Sequence, residues 1–238
     1  MTEFIDIWTY LSSEPLLWLT ATLAAYAVGD ALFRASGRKP WVNPVLIAVV
    51  LLALTLFASG TPYDAYFEGA QFVHFMLGPA TICLAVPLYT NLKSVRKTLL
   101  PMAAALAAGS ATAILSALGI GWSLGVQPDV LLSLAPKSVT APVAMGISES
   151  IGGSPTLTAV LVILTGITGA IIATPLLNLL RIRDWRARGF ATGIASHGIG
   201  TARAFQVNEQ AGAFAGTGMG LNALATAILA PILVKLLF

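Results

Sequence analysis

The sequence predicts an all-α polytopic membrane protein, a transporter-like fold with an inverted 3+3 repeat and broken or re-entrant helices. Three observations carry that expectation. Hydrophobic residues make up 57% of the 238 and charged residues only 10%, with a mean hydropathy of +0.84, whereas about a quarter of a soluble domain is charged. Apolar runs long enough to cross a hydrocarbon core of roughly 30 Å recur along the chain. Ten of the 13 Lys and Arg residues gather in three short segments, Arg34/Arg38/Lys39, Lys93/Arg96/Lys97 and Arg181/Arg183/Arg186/Arg188, and short loops of this kind stay on the cytoplasmic side.

The elements follow in order. The opening "MTEFIDIWTYLSSEP" has the acids Glu3, Asp6 and Glu14 but no basic region, so it does not read as a cleavable signal peptide and the first span is expected to be retained. That span covers 15–33 and runs inward; 42–59 runs outward, 67–91 inward and 99–120 outward. Asp64, Glu68 and Asp129 mark the outer side, while Asp30 and Asp184 sit near basic clusters as exceptions. The span 156–180 ends at the arginine cluster and must therefore begin outside. This leaves 136–153 between two outer ends with no side to cross to. Its sequence, "PKSVTAPVAMGISESIGG", is rich in Pro, Gly, Ser and Thr, which suits a re-entrant segment enclosed by protein or a water-filled cavity. Residues 189–205 are then read as running outward, and 213–238 as returning to a cytoplasmic end near Lys235.

No hydrophilic stretch is long enough for a separate domain, so one transmembrane domain is expected. It comprises an N-terminal span (1–41), a first repeat (42–121), an outer loop with the re-entrant segment (122–155) and a second repeat (156–238). Residues 42–120 read as a smooth helix, a Gly/Pro-broken helix ("FVHFMLGPATICLAVPLY") and a smooth helix, and 156–238 read the same way around "GIASHGIGTARAF". The triplets start from opposite sides. Interrupted helices at corresponding places in inverted repeats point to a secondary transporter with its site near the bilayer midplane; the alternative is a plain bundle with incidental glycines.

Ionisable residues inside a membrane cost roughly 2.5–3.5 kcal/mol on insertion scales and default to functional candidates. Lys137 opens the re-entrant segment, as an anion-binding cation or as a lysine snorkelling to the interface. Arg203 lies deep in its segment, followed by Asn208 and Glu209; it either grips a carboxylate with two parallel hydrogen bonds or pairs with the glutamate. Glu149 in "SESIGG" is a coupling carboxylate or an exposed rim acid, and His197 in "SHGIG" shuttles a proton or bonds a nearby carbonyl. His74, among apolar neighbours, reads as packing. The glycines of "HGIGTAR" allow the backbone to open and present N–H groups to an anion, whereas Gly212, Gly216 and Gly220 bare one helix face for close packing, internally or in a homodimer.

Catalysis is not expected. "GISES" lacks the last glycine of a nucleophile elbow, HExxH and Walker sequences are absent, and two histidines with the single Cys83 make no ordinary zinc site. The formal charge of +3 is accounted for by the cytoplasmic clusters and calls for no nucleic acid partner.

The segments "APKSVTAPVAMGISESIGG" (135–153) and "ASHGIGTARAFQ" (195–206), with "GTGMGLNALATA" (216–227) in support, resemble the LrgB/CidB family over nearly the whole chain. The chain is also similar to the C-terminal half of the plastid glycolate/glycerate transporter. The resemblance implies two roles. Bacterial members are described as holin-like or antiholin-like proteins that modulate murein hydrolase activity and lysis with a small LrgA/CidA-type membrane partner; the plastid relative moves short 2-hydroxycarboxylates, and some bacterial systems are linked to pyruvate uptake. Paired broken helices beside buried cations favour the carboxylate. The expectation is a bacterial inner-membrane secondary transporter for a small monocarboxylate such as glycolate, glycerate, lactate or pyruvate, coupled to protons. Lys137 and Arg203 would hold the anion, Ser138, Thr140, Ser196, His197 and Thr201 would bond its oxygens, Glu149 or His197 would couple proton movement, and neither metal nor cofactor would be needed.

Overall fold

The computed structural model describes residues 14–39, 41–83, 89 and 96–237. The acids Glu3 and Asp6, Lys93, the 84–88 stretch of the predicted break and the His74 side chain lie outside the described residues. The helices are α1 (Pro15–Ala35), α2 (Pro44–Ser59), α3 (Tyr63–Cys83), α4 (Leu99–Ser123), α5 (Pro128–Leu134), α6 (Ala141–Ser150), α7 (Pro155–Leu179), α8 (Trp185–Val207) and α9 (Glu209–Leu237). Each predicted span has its helix, displaced by a few residues. Among them α1, α4, α7 and α9 are long and apolar enough to cross a membrane.

Local chemistry sets the boundaries. Pro15, Pro44, Pro128 and Pro155 open their helices at the first turn, where a missing N–H costs nothing. Asn43 caps α2 by accepting from the Val45 and Leu46 amides at 2.9 and 3.2 Å, and Gly60 (φ 66°) closes it. Asp184 caps α8 through the Arg186 amide at 2.8 Å and pairs with the Arg186 guanidinium. The hydrogen bond from that side chain pulls the Asp184 carboxyl down to about 2. Asp30 likewise pairs with Arg34 at 2.8 Å, so the two acids beside basic clusters are neutralised locally.

The chain forms two compact units, Met1–Cys83 and Leu84–Phe238. In the first, α1 packs on α2 and α3. Trp18 is buried edge-on to Tyr66 with ring centroids 5.8 Å apart, and Gly69 meets the α1 backbone at Pro15 and Leu19.

In the second unit α4, α7 and α9 enclose two helical hairpins. The first is α5 and α6, joined by turns at 135–139; the re-entrant segment predicted at 136–153 supplies its tip and return arm, while its entering arm α5 falls in the stretch read as outer loop. Its base is tied to the start of α7: the Thr158 hydroxyl donates to the Ser133 carbonyl at 2.9 Å and accepts from the Ser148 hydroxyl at 2.7 Å. Leu131, Val139, Ala144 and Ile147 bury against Ile114, Leu118, Val162 and Ala230.

The second hairpin is α8 itself, and it corrects the expected topology. Helical geometry breaks at His197 (φ 40°, ψ −133°). A methyl on Gly189 would run into the Ala211 carbonyl and one on Gly193 into that of Ala215, while one on Gly212 would run into the Phe205 ring. In a straight helix Gly189 and Val207 would stand about 27 Å apart, and four more residues span at most roughly 14 Å, too little to return to Ala211. The arms 185–196 and 198–207 therefore fold back on one another, and α9 starts beside the start of α8 and runs parallel to its first arm. Residues 189–205 do not cross. With the arginine cluster and Arg96/Lys97 inside, α4 runs outward, α7 inward and α9 outward, so Lys235 lies at the outer end, opposite to the side expected. A reporter fused after Leu237 is expected to be active only when it functions outside the cytoplasm, and one at Ile182 only inside; the reverse pattern would refute the hairpin.

The close packing expected at Gly212, Gly216 and Gly220 is redistributed. Gly212 is tightly covered and Gly220 has open space, while Gly189 and Gly193 provide the backbone approach. The two hairpins enter from opposite faces, the first between α4 and α7 and the second between α7 and α9. The pairing of 42–121 with 156–238 rests on the sequence pattern.

Candidate functional site

The hairpin tips meet near the middle of α4, α7 and α9. Fully buried Asn222 joins them: its Nδ2 donates to the Ile194 carbonyl at 3.0 Å and to the Ser138 carbonyl at 3.2 Å, and its Oδ1 accepts from Ser110 Oγ at 2.6 Å and Thr226 Oγ1 at 3.3 Å. Backbone carbonyls freed at hairpin tips need partners inside a bilayer, and one carboxamide supplies both. Asn222 lies in the quoted "GLNALATA", yet a single asparagine in an apolar run has no pattern to mark it, and its partners are 28, 84 and 112 residues away.

Lys137 sits at the first tip, half-buried, with Nζ donating to Ser138 Oγ at 3.2 Å. Among the described residues the ion pairs are Asp30–Arg34 and Asp184–Arg186; no carboxylate stands against Lys137. Two cavities share it. One, of about 530 Å³, lies between α7 and the first arm of α8 and includes Thr165, Thr168, Thr192 and Ser196. The other, of about 670 Å³, lies between α4 and the same arm and includes Gly109, Thr112, Ser138 and Ala195. A charged ammonium, several hydroxyls and apolar walls suit a small organic anion.

The remaining predicted residues are placed as follows. Ser138 and Ser196 are buried at the tips and line the cavities. His197 reverses the second hairpin, and its Nε2 lies 2.9 Å from the Val162 carbonyl, so Nε2 carries the proton and donates. The turn was expected at the flanking glycines and falls on the histidine. Thr201 gives its hydroxyl to the His197 carbonyl at 2.7 Å, within its own helix. Thr140 precedes α6 with no side-chain cap bond, and Glu149 is exposed near the end of α6. Arg203 is on the return arm, where Nη1 donates to Gln206 Oε1 at 3.4 Å, in a separate small hollow with Thr174, Trp185 and Arg188. Of the cavities described, Lys137 lines the two larger ones and Arg203 the small hollow.

The profile of the LrgB-like family matches residues 22–236. The chain is 31% identical over 225 residues to the holin-like protein CidB of Staphylococcus epidermidis, covering 94% of this chain and 98% of that one, and equally so to CidB of Staphylococcus aureus. It is 36% identical over 217 residues to the uncharacterized protein YwbG of Bacillus subtilis, covering 91% and 96%. No solved structure matches it. With span-length helices and a match over nearly its whole length, the chain belongs to the LrgB-like family of multi-pass bacterial membrane proteins.

Proposed function

We propose that the chain is a secondary transporter of small monocarboxylates, of the size of glycolate, glycerate, lactate or pyruvate. The observation that carries this reading is Lys137: a half-buried ammonium at the meeting point of two hairpins, bonded to a serine hydroxyl and, among the described residues, not to a carboxylate. A cation left uncompensated in low dielectric is strongly unfavourable, and a bound carboxylate would compensate it. Ser138 lines the larger of the two cavities at Lys137 and Ser196 the other, and either hydroxyl would bond a carboxylate or 2-hydroxyl held by the lysine. One cation in the site favours a monoanion over a dianion. Glu149 and His197 are the groups proposed for proton coupling, His197 by exchanging its Val162 bond as the tip moves. A small LrgA/CidA-type membrane protein is the proposed partner, and a homodimer the proposed assembly.

The test is uptake of radiolabelled glycolate and pyruvate into proteoliposomes holding the purified protein, with and without an inward proton gradient. Saturable uptake that rises with the gradient supports the transporter. The printed names of the CidB relatives favour a second reading, a holin-like protein acting on lysis; a leak equal for neutral and anionic solutes would select it.

A further inference from the structure

Beside the 670 Å³ cavity at Lys137 lies another of about 290 Å³, lined by Thr98, Pro101, Met102, Asp184, Arg186 and Phe214. The two share Ala105, Ala187 and Phe190. Together they trace one groove between α4 and the first arm of α8, from the start of both helices to the tip of the first hairpin. Its walls are mostly small: Ala105, Ala108, Gly109, Thr112, Ala187 and Ala191. The helix ends at its mouth are preceded by Arg96, Lys97, Arg181 and Arg183, with Arg186 in the first turn and Asp184 as the nearby acid. By the distribution of basic residues this is the cytoplasmic end.

We propose that this groove is the cytoplasmic access path of the anion, so that the structure is the inward-facing state of the transporter. The inference rests on the anion-site reading and adds a route and a sidedness to it. Cations around an entrance with apolar walls concentrate anions and raise their capture rate, by roughly ten- to a thousandfold at low salt, and the attraction fades as the Debye length shortens. The groove ends at Lys137 and Ser138, with Asn222 holding the tip carbonyls behind them.

The chain's one cysteine makes the test direct. In a Cys83→Ser background, Ala108→Cys and Thr112→Cys place a thiol on the groove, and Leu124→Cys, just past the outer end of α4 and exposed, reports the opposite side. Membrane-impermeant thiol reagents are applied to inside-out and right-side-out vesicles. The expected result is that A108C and T112C react from the cytoplasmic face alone and L124C from the outer face alone. An anionic reagent should outpace a cationic one at the groove by at least about tenfold at low salt, the margin shrinking as salt rises. Reaction of A108C and T112C from the outer face, or from neither, overturns the path. Slowing by glycolate or pyruvate supports path and substrate together. Cytoplasmic reaction that no monocarboxylate slows keeps the water-filled path, and refutes both its use by the anion and the substrate reading.

Discussion

Lys137→Met abolishes saturable carboxylate uptake while the protein remains folded and correctly inserted. The methionine keeps the unbranched stem and removes the charge, so it should pack where the lysine packs. Deleting one partner of a desolvated charge pair costs roughly 2–5 kcal/mol, which is about thirty- to several thousandfold in affinity. In proteoliposomes KM should rise beyond the measurable range, with melting in detergent unchanged or slightly raised, because an uncompensated buried cation has gone. Arg203→Gln separates this site from the two-cation alternative. Its hollow is not one of the Lys137 cavities, so uptake should fall far less than in Lys137→Met. Equal loss in both variants would mean that the carboxylate reaches Arg203, and wild-type uptake in Lys137→Met would remove the lysine from the site.

Asn222→Leu is expected to lower both stability and uptake, and Asn222→Asp to do so through charge. Leucine is close in size, so cavity formation is a minor effect. The loss falls on the two hairpin carbonyls, at Ser138 and Ile194, and on the Ser110 and Thr226 hydroxyls. A buried polar group left without a partner costs roughly 1–3 kcal/mol. An aspartate keeps the two acceptor contacts but cannot donate to either carbonyl when ionised. A fall of several degrees in detergent melting, with uptake lost in both variants and partly kept in Asn222→Gln, is the expected pattern. Melting and uptake like the wild type in Asn222→Leu would show that the tips are held by other contacts.

The spans were legible because hydropathy and basic loops are strong, local signals. The first hairpin was legible for a different reason: 136–153 lay between two ends fixed on one face, so parity alone made it re-entrant. The second hairpin lacked that constraint. Residues 189–205 are long enough to be read as a crossing, and Lys235 invited a cytoplasmic end, yet a single lysine at the close of a 29-residue helix weighs little against the packing of Gly189 and Gly193 on α9. The glycines marked the region of the break, but the reversal falls on His197, whose ring is anchored to Val162 across the unit. Lys137, Ser138 and Ser196 could be picked out because polar residues in broken segments are conspicuous. Asn222 could not, since its importance lies in three distant partners that only the fold assembles, and Arg203 was grouped with Lys137 because both are cations at membrane depth.

The reversal at His197 also bears on how the protein is made. The arms of α8 include Arg186, Arg188, His197 and Arg203, and their turn exposes peptide groups that lipid cannot satisfy. Such a hairpin has no reason to leave the insertion channel sideways as it emerges. It can enter the bilayer only when α4, α7 and α9 are present to enclose it, and α9 is synthesised after it. The enclosed site of the hairpin is thus complete only once α9 has been made, so a chain truncated before Glu209 is expected to leave the hairpin open to protease from the cytoplasmic side.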